Sequence, residues 1–227
     1  PVDQARITDD EVRYLCEQAS RYFRQPVQPA DVVWTYSGVR PLLDDEAGSA
    51  TAATRDYLLE LEGSEAPLLN VWGGKITTFR KLAEEAADRL GDALGWRPSR
   101  WTEQACLPGG DLSAWVPQRT RPDHDIAAFA AELARRHPEL PAALRARWVR
   151  SYGSRVTLLL AQALGAEVAP GLHEGELQHL HDHEWARSAD DVLWRRSKLG
   201  LHFTPAQRQQ VADWWQAHFP AEGNAPT

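Results

Sequence analysis

The 227-residue chain, with 43% hydrophobic and 25% charged residues, is long enough for one large globular domain or two small ones, each with a real core. Its net charge of −7 argues against nucleic acid as the main partner, because phosphate-backbone binding needs a basic field. Two cysteines, Cys16 and Cys106, are too few for a disulfide framework and favour a reducing, cytosolic compartment, and no run approaches the roughly 20 apolar residues needed to span a bilayer. Any membrane contact is therefore expected to be peripheral.

In chain order, Thr8-Asp9-Asp10 offers an N-cap and an acidic first turn, and Val12, Leu15, Ala19, Tyr22 and Phe23 follow at helical spacing. This predicts a helix over about 8–24, closed by Pro26 and Pro29. Residues 31–36 are rich in Val, Trp, Thr and Tyr and read as a strand that ends at Ser37-Gly38. A loop through Asp44-Asp45-Glu46 leads to a second strand over 56–62. Pro67 to Trp72 is a short continuous apolar run, as expected of a buried parallel strand. Gly73-Gly74 ends it, and Thr77-Thr78 lead into an amphipathic helix over 79–94. Pro108-Gly109-Gly110 is the best domain boundary. Beyond it the spacing is helical near 123–136, 141–150, 154–164, 173–184, 188–198 and 204–217, with Trp148, Trp185, Trp194, Trp214 and Trp215 as expected core anchors. The chain lacks Met altogether and opens in mid-pattern, which reads as a portion of a larger protein.

Chemistry concentrates between residues 34 and 81. Arg40, just after the first strand, suits planar two-point capture of a phosphate, but it suits an ion pair with Asp44 or Asp45 equally well. Arg55 has the same two readings. Lys75 follows a Gly-Gly turn before a helix start, where the backbone approaches a ligand closely and negative charge is favoured. The plainer reading is a tight turn with Lys75 in solvent. The segment is not a Walker A loop, since Leu69 and Ile76 occupy the positions of its first glycine and its hydroxyl residue. His179, His181, His183 and Glu184 raise a metal hypothesis. His179 and His183 share a helix face while His181 points elsewhere, so a polar helix end is preferred and no metal site is expected. Ser151-Tyr152-Gly153-Ser154 is no nucleophile elbow and reads as a break followed by a helix N-cap.

VWTYSGVRPLLDDEAGSATAATRDY, followed by APLLNVWGGKITTFRKLAEEAADRL, resembles the FAD-dependent glycerol-3-phosphate dehydrogenase family in its aerobic bacterial form. The likeness continues through TEQACLPGGDL, RWVRSYGS and DHEWARSADDVLWRRSKLG, and so covers nearly the whole chain. It implies an α+β chain: part of an FAD- and substrate-binding α/β region, then an all-helical C-terminal cap domain. The expected division is a partial substrate-binding region over 1–65, a strand-turn-helix of the FAD region over 66–110 and the cap over 111–227. The implied reaction is oxidation of sn-glycerol 3-phosphate to dihydroxyacetone phosphate, with FAD reduced and electrons passed to membrane quinone.

The resemblance assigns Arg40 and Arg55 to substrate binding, Arg40 and Lys75 to catalysis, and Gly73, Gly74, Lys75 and Thr77 to the FAD side. It also implies a homodimer and attachment to the inner face of the cell membrane. The GxGxxG fingerprint and the family's catalytic histidine belong to an N-terminal half absent from this sequence, so these are half-sites, and this chain alone is expected neither to hold FAD tightly nor to turn over substrate. Two other readings stand beside this one. One is an alpha-glycerophosphate oxidase that passes electrons to oxygen. The other is a non-catalytic helical interaction module.

Overall fold

A computed structural model of the chain describes residues 4–39, 56–63, 65–97, 99–118 and 120–220. It resolves into two compact units, Pro1–Ala105 and Cys106–Thr227.

In the first unit, helix α1 spans Asp9–Ser20. Thr8 opens it with a reciprocal cap: its hydroxyl accepts from the Glu11 amide, and the Glu11 carboxylate accepts from the Thr8 amide at 2.8 Å. The helix stops short of the expected residue 24. The Ser20 hydroxyl donates to the Cys16 carbonyl and accepts from the Val27 amide at 2.8 Å, so the side chain competes with the next helical turn. The expected apolar stripe is not buried, because only Cys16 is covered while Leu15, Tyr22 and Phe23 are exposed. The strand expected over 31–36 is also absent. A 3-10 turn at Pro29–Asp31 is followed by extended chain that pairs with no strand among the described residues. β propensity describes fitness for a sheet, and here no neighbour supplies one.

Strands β1 (Tyr57–Glu62) and β2 (Leu68–Gly73) form an antiparallel hairpin in which Tyr57 lies opposite Gly73 and Leu59 opposite Val71. The expectation of a buried parallel strand at 67–72 is thus corrected. An apolar run cannot report strand direction, and Trp72 is 48% exposed. Helix α2 spans Phe79–Leu94, as its periodicity predicts, and ends on Gly95 in the left-handed region. It packs on the hairpin through Leu59, whose carbonyl accepts from Arg89 at 3.0 Å, while the Tyr57 hydroxyl donates to Glu85 at 2.8 Å.

The second unit holds helices α3 (Pro122–Arg136), α4 (Ala142–Tyr152), α5 (Val156–Leu160), α6 (Glu174–Glu184) and α7 (Pro205–His218), with a π-helical turn at Asp191–Arg196. Strands β3 (Glu167–Ala169) and β4 (Leu172–His173) form a small hairpin that helical spacing did not foretell, so the unit is mostly rather than wholly helical. Phe129, Leu133, Trp148, Val156, Leu172, Leu177, Val192 and Val211 are among the residues that fill one continuous core. Trp148 and Trp215 anchor it as expected, Trp194 and Trp214 pack at its margin, and Trp185 does not join it, being 77% exposed.

The boundary loop is fastened to this unit. Gly153 ends α4 at φ 53°, and its neighbour Ser154 donates its amide to the Gly109 carbonyl at 3.0 Å. The predicted break is present, but the helix that follows has no side-chain cap from Ser154. A Cβ at Gly153 would fall on the Gly109 carbonyl, and one at Gly109 would lie 2.5 Å from the Tyr152 carbonyl oxygen. Gly153→Ala is therefore expected to cost more than about 2 kcal/mol in urea unfolding. Gly171→Ala, at φ 71° with open space around it, should cost only about 1 kcal/mol. Equal losses would remove the close approach as the cause.

Candidate functional site

The register of the hairpin carries the chain straight into the turn that the sequence singles out. β2 ends at Gly73, and Gly73 and Gly74 both take positive φ, 67° and 97°. Non-glycine residues adopt that conformation at a cost. Lys75 then opens a 3-10 turn, Ile76–Thr78, which runs directly into α2. The Lys75 carbonyl accepts both the Thr78 amide and the Thr78 hydroxyl at 3.0 Å, which locks the turn. Gly74, Lys75 and Thr77 are exposed and Gly73 is half-buried. A fixed backbone bend, free of side chains at two successive positions and followed by a cation and a helix start, can accept a flat or anionic ligand from one side.

The structure therefore brings Gly73, Gly74, Lys75 and Thr77 onto one turn. Arg40 and Arg55 lie outside the described residues. The surface beside the turn has mixed charge. Arg80 pairs with Glu84 at 3.1 Å, Arg100 with Asp88 at 2.6 Å, and these residues line a cleft with Tyr57, Lys81, Glu85 and Glu103. The Tyr57 phenol is pushed above its ordinary value by its hydrogen bond to the Glu85 carboxylate.

In the second unit, sequence reasoning passed over Glu176. It is buried, and its carboxylate accepts from Arg147 at 2.5 and 2.6 Å, from Trp148 Nε1 at 2.9 Å and from the Tyr152 hydroxyl at 2.6 Å. Burial, and then the Glu176 charge, push the Tyr152 phenol far up, so it remains a donor. The three donors lie on α4, in the RWVRSYGS motif, and a Glu in an acidic helix carries no sequence mark of such burial. Along α6, His179 and His183 do share a face, with ring centroids 4.9 Å apart, while His181 stacks on Phe219 at 3.9 Å. Among the described residues no group of three or more His, Cys, Asp or Glu side chains is arranged to hold a metal ion.

Residues 100–216, just over half the chain, match the family described as the C-terminal domain of alpha-glycerophosphate oxidase. The chain belongs to this family. It is 42% identical over 216 residues to the aerobic glycerol-3-phosphate dehydrogenase of Escherichia coli (strain K12), a match that covers 92% of this chain and 41% of that protein. It is 39% identical to a glycerol-3-phosphate dehydrogenase of Pseudomonas aeruginosa, over 94% of this chain and 41% of the relative. It is also 39% identical to the D-erythritol 1-phosphate dehydrogenase of Brucella abortus (strain 2308), over 91% of this chain and 41% of that relative. The chain thus spans about two fifths of the length of these relatives.

Proposed function

We propose that the chain is the C-terminal portion of an FAD-dependent oxidoreductase that converts sn-glycerol 3-phosphate to dihydroxyacetone phosphate and delivers the electrons to membrane quinone. The observation that carries this reading is the 42% identity, across nearly the whole chain, to a dehydrogenase of glycerol 3-phosphate. The Gly73–Thr77 turn supports it, because a positive-φ bend followed by a cation and a helix start suits an anionic cofactor. FAD, when bound, would supply the two-electron acceptor for oxidation at C2 of the substrate. Gly73, Gly74 and Thr77 would form one wall of its site, and the Lys75 ammonium would stand where negative charge develops. Arg40 and Arg55 would grip the substrate phosphate and orient the glycerol carbons. The proton-accepting base and the facing wall would come from the rest of the protein. Attachment to the inner face of the membrane is proposed as peripheral; no described helix is long and apolar enough to cross a membrane.

The similarity to a D-erythritol 1-phosphate dehydrogenase favours a second reading on substrate, in which a four-carbon polyol phosphate is oxidised. The oxidase description of the family favours oxygen as the acceptor. Both are tested by assaying the intact protein on sn-glycerol 3-phosphate and D-erythritol 1-phosphate, with a soluble quinone and with oxygen. Higher kcat/KM on the glycerol ester, with quinone reduced and little peroxide formed, is the expected result. Preference for the erythritol ester would move the protein to the second reading, and stoichiometric peroxide would make it an oxidase.

A further inference from the structure

The uncommon motifs of the second unit meet at one place. Gly109 of the LPGGDL segment lies against Tyr152 and Arg155 at the end of α4. The Arg155 Nε stands 3.8 Å from Glu184 Oε1, and the same oxygen stands 3.9 Å from His179 Nε2. Arg196, from the WRRS segment, donates to the carbonyls of Glu184 and Trp185. At the centre is His179, 1% exposed, with Tyr152 edge-on to its ring at a centroid distance of 5.3 Å. Among the described residues neither His179 ring nitrogen has a hydrogen-bond partner, and neither does the buried Arg155 Nε.

A neutral imidazole in such a place forgoes one donor and one acceptor. An imidazolium would forgo two charged donors. The groups that face it do little to help. His183 on α6 and Arg155, on the 3-10 turn Gly153–Arg155 that follows α4, oppose a positive charge. Glu176 on α6 favours one, but Arg147, Trp148 and Tyr152 of α4 already occupy its oxygens. Glu184 also favours one but is shared with Arg155 and partly solvated. Tyr152 presents its ring, its hydroxyl being committed to Glu176. Burial, followed by the His183 charge, holds the His179 imidazole below its ordinary value.

We propose that His179 is an acid-sensitive latch of the C-terminal unit: neutral, it completes the packing between α4 and the end of α6, and its protonation opens that contact and frees the Glu184–Trp185 segment. That segment is poised for release. Trp185 is the one described non-glycine residue at positive φ, 55°, and it is held there by the hydrogen bond its N–H donates to the Leu180 carbonyl and by Arg196, which donates to its carbonyl.

The direction follows from proton linkage. Above the unfolded histidine's ordinary pKa of about 6.5, both closed and open forms are neutral and the latch holds fully. As pH falls from there toward the lower value in the closed form, only the open form binds the proton, and the opening constant rises by up to about tenfold per pH unit. Below the closed-form value the loss levels off.

The test is hydrogen exchange at the amides of α4 and of residues 177–186 in the full chain between pH 7.5 and 5.0, corrected for intrinsic rates. The wild type is expected to show the rise below about pH 6.5, and His179→Gln and His179→Phe are expected to lose it. The same pH dependence in wild type and variants would overturn the latch. If neither variant folds, the His179 ring resonances of the wild type decide. A ring that stays neutral until these amides open supports the latch, and one that titrates near 6.5 while they stay protected overturns it.

Discussion

Glu176→Gln is expected to destabilise the C-terminal unit by about 3–5 kcal/mol, the scale on which a buried charge loses its counter-ion. The carboxylate serves four hydrogen bonds from Arg147, Trp148 and Tyr152. A carboxamide keeps one acceptor oxygen and turns an NH2 group toward the donors, of which Arg147 keeps its bond to the Gly171 carbonyl while Trp148 and Tyr152 are buried. The Arg147 side chain, only 21% exposed, would be left without its anion. Thermal unfolding followed by tryptophan fluorescence should show a fall in Tm on the order of 10 °C. The paired change Arg147→Met with Glu176→Met removes both charges together but leaves the buried Trp148 and Tyr152 donors without their acceptor, so it should recover only part of the loss. A loss below about 1 kcal/mol for Glu176→Gln would mean that the carboxylate does not hold α4 and α6 together.

Under the proposed function, Arg55→Ala in the intact protein is expected to lower kcat/KM for sn-glycerol 3-phosphate by about 2–5 kcal/mol, roughly 30- to 5,000-fold, as for truncating one partner of a desolvated charge pair. Lys75→Ala should act differently. The lysine would stand beside developing negative charge, so its loss should fall on kcat and on the flavin potential rather than on KM. Unchanged KM and kcat for Arg55→Ala would return that arginine to a local ion pair. An unchanged kcat and potential for Lys75→Ala would leave the Gly-Gly bend as a plain turn. Neither substitution should move the unfolding of the C-terminal unit, which separates these effects from that of Glu176.

What was legible in the sequence is what local chemistry determines. Thr8-Asp9-Asp10 marked the start of α1, and the amphipathic stretch that follows Thr77-Thr78 marked α2 from first residue to last. The Gly73-Gly74-Lys75 bend was legible because positive φ at successive residues leaves glycine as the economical choice. What depended on distant neighbours was not. Residues 31–36 have the composition of a strand and no strand beside them. β2 carries the residues of a buried strand, pairs in the opposite sense and leaves Leu68, Val71 and Trp72 exposed. The β3–β4 hairpin is too short for a period to emerge. Trp185, expected in the core, ends a helix in the left-handed region and turns outward. Glu176 sits in an acidic stretch that reads as solvated, and only the fold reveals the three donors waiting on α4.

The backbone contact between Gly109 and Gly153 bears on how the C-terminal unit can be cut free. The Ser154 amide takes its acceptor from Gly109, and neither glycine tolerates a side chain at the crossing. A polypeptide begun at residue 111, the expected start of the cap domain, would leave that amide without its partner and strip the cover from the end of α4. One begun at or before Cys106 keeps the stake in place. Trimming to the visible helices would therefore yield a looser domain than one that carries a few residues of apparent linker.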